Sequence, residues 1–173
     1  MTQHYSAALP IAYVVLRISV VLNWIAGAAI LVLLFLMPNE RWIMSAFDLT
    51  PSPEAARLVL GLRIIAVIGL ATIPLNHVIL KRLLAMVMTV RQGDPFRMEN
   101  AYRLYAIAWA LLALQMLSLV IGIVAEIVST RENPLSLDAG FSLTGWLAVL
   151  LTFILARVFA EGAVMREELE GTI

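Results

Sequence analysis

The 173-residue sequence contains no cysteine and only two histidines, His4 and His77. Without cysteine the protein has no disulfide, no thiolate metal site and no cysteine nucleophile. The two histidines lie far apart in the sequence, and two isolated histidines hold a metal only when carboxylates are supplied from elsewhere. We therefore expect no metal and no other cofactor.

Sequence motifs of catalysis are also missing. The chain has no HExxH helix, no nucleophile elbow and no glycine-rich phosphate loop, and its apolar segments contain no close pair of carboxylates. Each of these motifs places a reactive or phosphate-binding group at a defined spacing, so their absence removes the common routes to catalysis. We expect that the protein is not an enzyme.

Charged residues are scarce, and the two signs balance. They make up 14% of the sequence, with a formal net charge of +0, against about 25% charged residues in soluble domains. A neutral chain has no general electrostatic attraction for nucleic acid. We therefore expect no direct nucleic-acid binding, and any contact with DNA would pass through a partner.

Apolar residues, by contrast, make up 62% of the chain, against roughly 45–50% in soluble domains. They are concentrated in four long blocks, each long enough at helical rise to cross about 30 Å of hydrocarbon. We predict an all-α fold, a four-transmembrane-helix bundle in the lipid bilayer that forms a single integral membrane domain over residues 1–173. The predicted spans are 18–37, 58–80, 104–125 and 141–160.

The start of the second helix is indicated by a hydroxyl residue before a proline. Thr50 or Ser52 precedes Pro53 and an acidic residue. A hydroxyl side chain caps the first turn of a helix, and proline fits the first helical position because it needs no hydrogen-bond acceptor there. We predict that the second helix begins near Pro53.

A helical hairpin is predicted between the second and third spans, over residues 81–103. Its only strong break is the Gly93-Asp94-Pro95 step, so we expect Asp94 to cap the third helix and Pro95 to occupy its first position. Both helices then continue past the hydrocarbon on the same side. The fourth helix is expected to continue in the same way into the tail, residues 161–173.

Positive residues predict the orientation of the chain. The N-terminal segment, the hairpin and the end of the chain from Arg157 onward contain eight Lys or Arg, against four on the other side. Lys and Arg favour the cytoplasmic side of short loops. We therefore expect both termini, the hairpin and the tail to be cytoplasmic.

The tail is acidic where a helix disfavours acid. Its carboxylates would lie in the last turns of the fourth helix, where the carbonyl ends carry a partial negative charge. The stretch 157–173 has a net charge of −2, and the hairpin has +3. We predict that the tail docks on the hairpin through pairs such as Arg97 with Glu168 and forms a cytoplasmic platform, or that it exchanges this contact for a protein partner. The alternative is a solvated helix end.

Two stretches resemble a known family. They are the run RQGDPFRMENAYRLYAIAWALLALQ and the final FAEGAVMREELEGTI. The chain resembles the uncharacterised four-span bacterial membrane proteins of domain of unknown function 2975, and the clear similarity covers about its second half. The matching positions are Gly93, Pro95, Phe96, Asn100, Phe159, Glu161, Gly162, Arg166, Glu167 and Glu168.

The resemblance implies a location and a kind of partner, and it implies no established activity. It implies a multi-pass protein of the bacterial inner membrane. Members of that family are often encoded beside a small helix-turn-helix regulator of the Cro type, which implies a membrane partner for a DNA-binding protein. The candidate partner-binding residues are Asp94, Phe96, Asn100, Glu161, Arg166, Glu167 and Glu168.

Three functional hypotheses remain open at this point. The first is a non-enzymatic interaction or regulatory module that binds a soluble regulator. The second is a structural or accessory subunit of a larger membrane complex. The third is a small transporter, because four polar residues in the spans could line a path: Asn23, Asn76, His77 and Gln115. Small residues such as Gly69 and Gly122 permit close helix approach, which leaves a homo-oligomer open.

Overall fold

The computed structural model describes residues 8–36, 44–45, 52–129, 137 and 139–170. Within those residues the chain forms four long helices and no β-strand, and all four helices are long and apolar enough to cross a membrane. The predicted all-α, four-helix fold is confirmed. The helices are α1 (Ala8–Leu36), α2 (Pro53–Arg91), α3 (Met98–Val128) and α4 (Leu143–Glu170).

The helices are longer than the apolar blocks that predicted them. α1 starts ten positions before the predicted span 18–37, and α2 continues well past residue 80 to Arg91. With 39 residues, α2 is about 58 Å long, whereas the hydrocarbon core is about 30 Å thick. α2 is therefore longer than a perpendicular crossing of the hydrocarbon requires. The last three residues of the predicted tail, 171–173, lie outside the described residues.

One predicted helix start is confirmed and the other is wrong. The hydroxyl of Ser52 accepts a hydrogen bond from the backbone N–H of Ala55 at 3.1 Å, and α2 starts at Pro53. The next helix starts only at Met98, so Asp94 does not cap it and Pro95 is not its first residue. The four residues 94–97 are non-helical because the carboxylate of Asp94 is engaged by arginines and not by the helix N-terminus.

The four helices pack in the order of the chain. α1 packs on α2, α2 on α3 and α3 on α4, and no other pair of these described helices is in contact. The bundle is therefore a row, and α1 exposes apolar side chains on most of its surface. Such a surface is suited to lipid, which solvates apolar side chains as well as a protein core does. A cluster of buried side chains, Leu104, Ile107 and Ala156, lies where α3 meets α4, and Ile79, Leu83 and Met86 of α2 pack against it.

Glycine allows a close approach at the other end of the α3–α4 pair. A Cβ atom on Gly122 would lie 2.7 Å from the Cα atom of Gly140, which has a φ of +119°. Next to this contact, the hydroxyl of Ser118 accepts from the N–H of Gly140 and lies 3.2 Å from its carbonyl oxygen. The chain entering α4 is thus held directly against the backbone of α3.

We expect Gly122→Ala to lower the unfolding free energy by roughly 1–3 kcal/mol, because the added methyl group overpacks a backbone contact. Thermal unfolding in detergent measures the change. The matched control is Gly69→Ala, where the nearest atom is the Cδ1 of Ile30 at 3.9 Å. That control should be neutral or more stable by up to about 1 kcal/mol, since alanine favours helix. Equal melting temperatures for the two variants would contradict the close approach.

Candidate functional site

Three segments that are distant in the sequence lie at the same end of the bundle. They are the turn at residues 92–97, the last turns of α4 and the first turns of α1. Arg166 of α4 forms an ion pair with Asp94 of the turn, and the guanidinium of Arg91 lies 5.7 Å from the ring centre of Tyr13 in α1. We call this region the hairpin end.

A buried asparagine organises the turn. The side chain of Asn100 is fully buried, and its amide donates to the hydroxyl of Thr89 and to the carbonyl of Pro95, both at 2.8 Å. Its carbonyl oxygen accepts from the guanidinium of Arg103 at 2.7 Å. Every polar group of the side chain is thereby satisfied, as a buried amide requires. Asn100 therefore contributes to the site by shaping the turn, because no part of it reaches the surface.

Phe96 packs the turn against α4. Its ring centre lies 5.4 Å from that of Phe159, a normal spacing for an aromatic pair. A Cβ atom at Gly162 would lie 3.0 Å from Cδ1 of Phe96, so the ring rests on α4 where a larger residue would push it away. Phe96 is nevertheless 45% exposed. The two motifs of the family resemblance therefore meet in one apolar contact.

The tail docks on the hairpin, but its charges are arranged differently from the prediction. Asp94 of the turn accepts from Arg166 of α4, and Arg97 binds the same carboxylate at 3.0 Å. The tail thus supplies the cation and the hairpin the anion at this contact. The prediction of an acidic tail on a basic hairpin has the wrong polarity here, because net charge does not say which side chain faces the partner helix.

The remaining candidate residues fall into two surface depressions. The turn depression, about 260 Å³, is lined by residues of the turn together with Arg166 and Glu167. The α3–α4 groove, about 480 Å³, contains Glu161 and Glu168. Glu161 accepts from Arg157 at 2.7 Å on the exposed surface of α4. The structure therefore gathers the candidate residues at one end but divides the glutamates between two surfaces.

Several residues of this region were missed by sequence reasoning. Thr89 and Arg103 hold Asn100, and Val164 and Met165 line the groove, yet none of them stands out in an apolar sequence. For the groove, the available signal was the spacing of Arg157, Glu161, Val164 and Glu168 along one helix face, since positions three and four apart are neighbours.

Three of the four polar residues predicted for a path lie at two different helix interfaces. The amide of Asn23 donates to the carbonyl of Ile73 at 3.1 Å, and the indole of Trp24 donates to His77 at 3.2 Å, both between α1 and α2. Gln115 instead lies against Gly145 between α3 and α4. Among the described residues no group of three or more His, Asp or Glu side chains is placed to hold a metal ion.

Four apolar helices joined in a row define a multi-pass helical membrane protein. The chain belongs to the family described as "Protein of unknown function (DUF2975)", which matches residues 44–173. That match includes α2 and so begins well before the second half of the chain, where the resemblance was clearest. No curated protein and no solved structure matches the chain.

We expect Asn100→Leu to lower the unfolding free energy by about 1–3 kcal/mol, because it leaves the buried partners of the amide without hydrogen bonds. Thr152→Val is the matched control, since the hydroxyl of Thr152 bonds only to the carbonyl of Ala148 in its own helix. That change should stay within about 0.5 kcal/mol. Thermal unfolding in detergent compares the two, and equal effects would argue against the network.

A double-mutant cycle with Asp94→Asn and Arg166→Gln should give a coupling of about 1 kcal/mol, because the two side chains interact across the docked surface. The matched cycle uses Arg157→Gln and Glu161→Gln, an exposed pair within one helix, and should give no resolvable coupling. Melting curves of the four proteins in each cycle provide the energies. Strictly additive effects at Asp94 and Arg166 would show that the tail is not held there.

Proposed function

We propose that the protein is a non-enzymatic interaction module of the bacterial inner membrane, whose hairpin end faces the cytoplasm and binds a soluble protein. The observation that carries the proposal is the docking of α4 on the turn through Phe96 and Arg166. It joins the two most distinctive motifs of the sequence into one surface. Motifs that served only to span lipid would have no need to meet at one end.

The positions of the charged residues support the orientation. Of the ten Lys and Arg in the described residues, only Arg57 and Arg63 lie toward the opposite end of the bundle. The other eight lie in the half that includes the hairpin end, and positive residues favour the cytoplasmic side. Both chain ends would then be cytoplasmic as well.

The lengths of the helices support a surface outside the lipid. α3 has 31 residues and α4 has 28, which correspond to about 46 and 42 Å at helical rise. These lengths exceed the hydrocarbon thickness of about 30 Å. The exposed carboxylates near the end of α4 therefore lie in the headgroups or in water, where a soluble protein can contact them.

The family resemblance favours a small helix-turn-helix transcription regulator as the soluble partner. The chain itself has a formal net charge of +0, which provides no attraction for DNA. Holding a regulator at the membrane would make the contact with DNA indirect. Binding would then change the amount of regulator that is available to the chromosome.

A second candidate function is that of an accessory subunit of a larger membrane complex. It is favoured by the row arrangement, in which α1 touches only α2 among the described helices. The remaining surface of α1 is apolar and exposed. A second membrane protein could pack against it in place of lipid, and so could another copy of this chain.

Photo-crosslinking in intact cells tests the proposal. A photoreactive phenylalanine analogue replaces Phe96 at the hairpin end, and the same analogue replaces Phe141 at the opposite end as the matched control. We expect position 96 to crosslink to a soluble protein and position 141 to give no such product. Replacing Ile25 in α1 reports lateral membrane partners. Products from Ile25 without any from position 96 would favour the accessory subunit and refute the interaction module.

A further inference from the structure

The α3–α4 groove is a surface separate from the docked turn. Its lining shares only Met98 with the turn depression. The floor is apolar and comes from both helices, with Tyr105 on α3 and Val164 and Met165 on α4. The rim carries Arg157, Glu161 and Glu168.

The lining residues of α4 follow the spacing of one helix face. Arg157, Glu161, Val164 and Glu168 are separated by four, three and four positions, which places them in a single stripe. The stripe is about 16 Å long at 1.5 Å per residue. A groove of this length matches about three turns of a helix laid along it, a common mode of peptide recognition.

The apolar floor continues beyond the end of the predicted span 141–160. Val164 is 43% exposed and Met165 59%, and both follow residue 160, where the last apolar block ends. Exposed apolar patches beyond a membrane span often mark binding surfaces. Methionine suits such a surface because its flexible side chain adapts to different partners.

The charge of the groove favours a basic ligand. One guanidinium and two carboxylates line it, and Arg157 pairs with Glu161, so the lining keeps a net charge of −1. The carbonyl end of α4 adds partial negative charge. An anionic lipid headgroup is repelled from such a rim. Lysine and arginine are attracted, so the complementary ligand combines an apolar face with basic residues at its edges.

We propose that the α3–α4 groove is a docking site for a basic amphipathic helix of about three turns, supplied by a soluble protein. This proposal rests on the proposed function and specifies the chemistry of the partner. The apolar face of the ligand lies on Met165 and its neighbours, and its basic residues face Glu161 and Glu168.

The test uses the full chain in nanodiscs of zwitterionic phosphatidylcholine and a fluorescent amphipathic peptide of leucine and lysine, about 11 residues long. Binding to empty nanodiscs is subtracted. We expect saturable binding that Glu161→Gln combined with Glu168→Gln weakens about tenfold, because the net charge of the groove lining changes from −1 to +1. Met165→Ser should also weaken binding, since it removes apolar contact without changing charge.

The matched control combines Glu54→Gln with Glu126→Gln. It removes the same charge from exposed helix positions that do not line the groove, and it should bind the peptide as the unaltered protein does. Melting curves in detergent establish that each variant is folded. A peptide of leucine and glutamate should not bind.

Three results would overturn the proposal. They are equal binding of the acidic peptide, undiminished binding to both groove variants, and absence of saturable binding. A photo-crosslinker in place of Met165 that reacts with phospholipid or with a second copy of the chain, and not with the basic peptide, would also overturn it. If crosslinks from position 96 to a soluble protein persist in that case, the proposed function stands with a different docking site.

Discussion

The hydrogen bonds of one buried amide determine the shape of the hairpin end. Asn100 joins the end of α2, through Thr89, to the turn, through the carbonyl of Pro95. A buried amide without partners is costly, so the turn is stable only in the conformation that satisfies it. That conformation directs Phe96 and Asp94 toward α4. The docking of the tail therefore depends on a residue whose hydrogen bonds go to α2, to the turn and to Arg103 of α3.

The row arrangement makes this end of the molecule unusually important for the structure. α1 and α4 do not meet among the described residues, so α4 is held only by its contact with α3 and with the turn. In lipid no hydrophobic force drives helices together, and close packing with a few polar contacts provides the stability. Gly122 and Gly140 provide close packing at one end of the α3–α4 pair, and Phe96 with Gly162 provides it at the other end.

The docking of α4 on the turn divides the charged residues at the end of α4 between two faces. Arg166 faces the turn, while Glu161 and Glu168 line the groove and Glu167 the turn depression. Acidic residues at a helix C-terminus cost free energy, and the ion pair of Arg157 with Glu161 offsets part of that cost within α4. A basic ligand in the groove would provide compensation from outside the chain.

How much could be predicted differs between the fold and the site. The four helices and the start of α2 at Pro53 followed from the lengths of apolar runs and from capping chemistry, which are local properties. The start of α3 at Met98 could not be predicted from capping chemistry, because Asp94 binds Arg166, a partner 72 positions away in the sequence. Local rules give no warning of such a competitor.

The sequence by itself determined the number of spans, the balance of charge and the position of the hairpin, since hydropathy and turn chemistry act on neighbouring residues. Only the tertiary structure decided which side chains share a surface. The helical register that places Gly162 under Phe96 and Arg166 beside Asp94 is set by packing between α3 and α4. That packing depends on side-chain shapes from both helices at once, so neither segment alone specifies it.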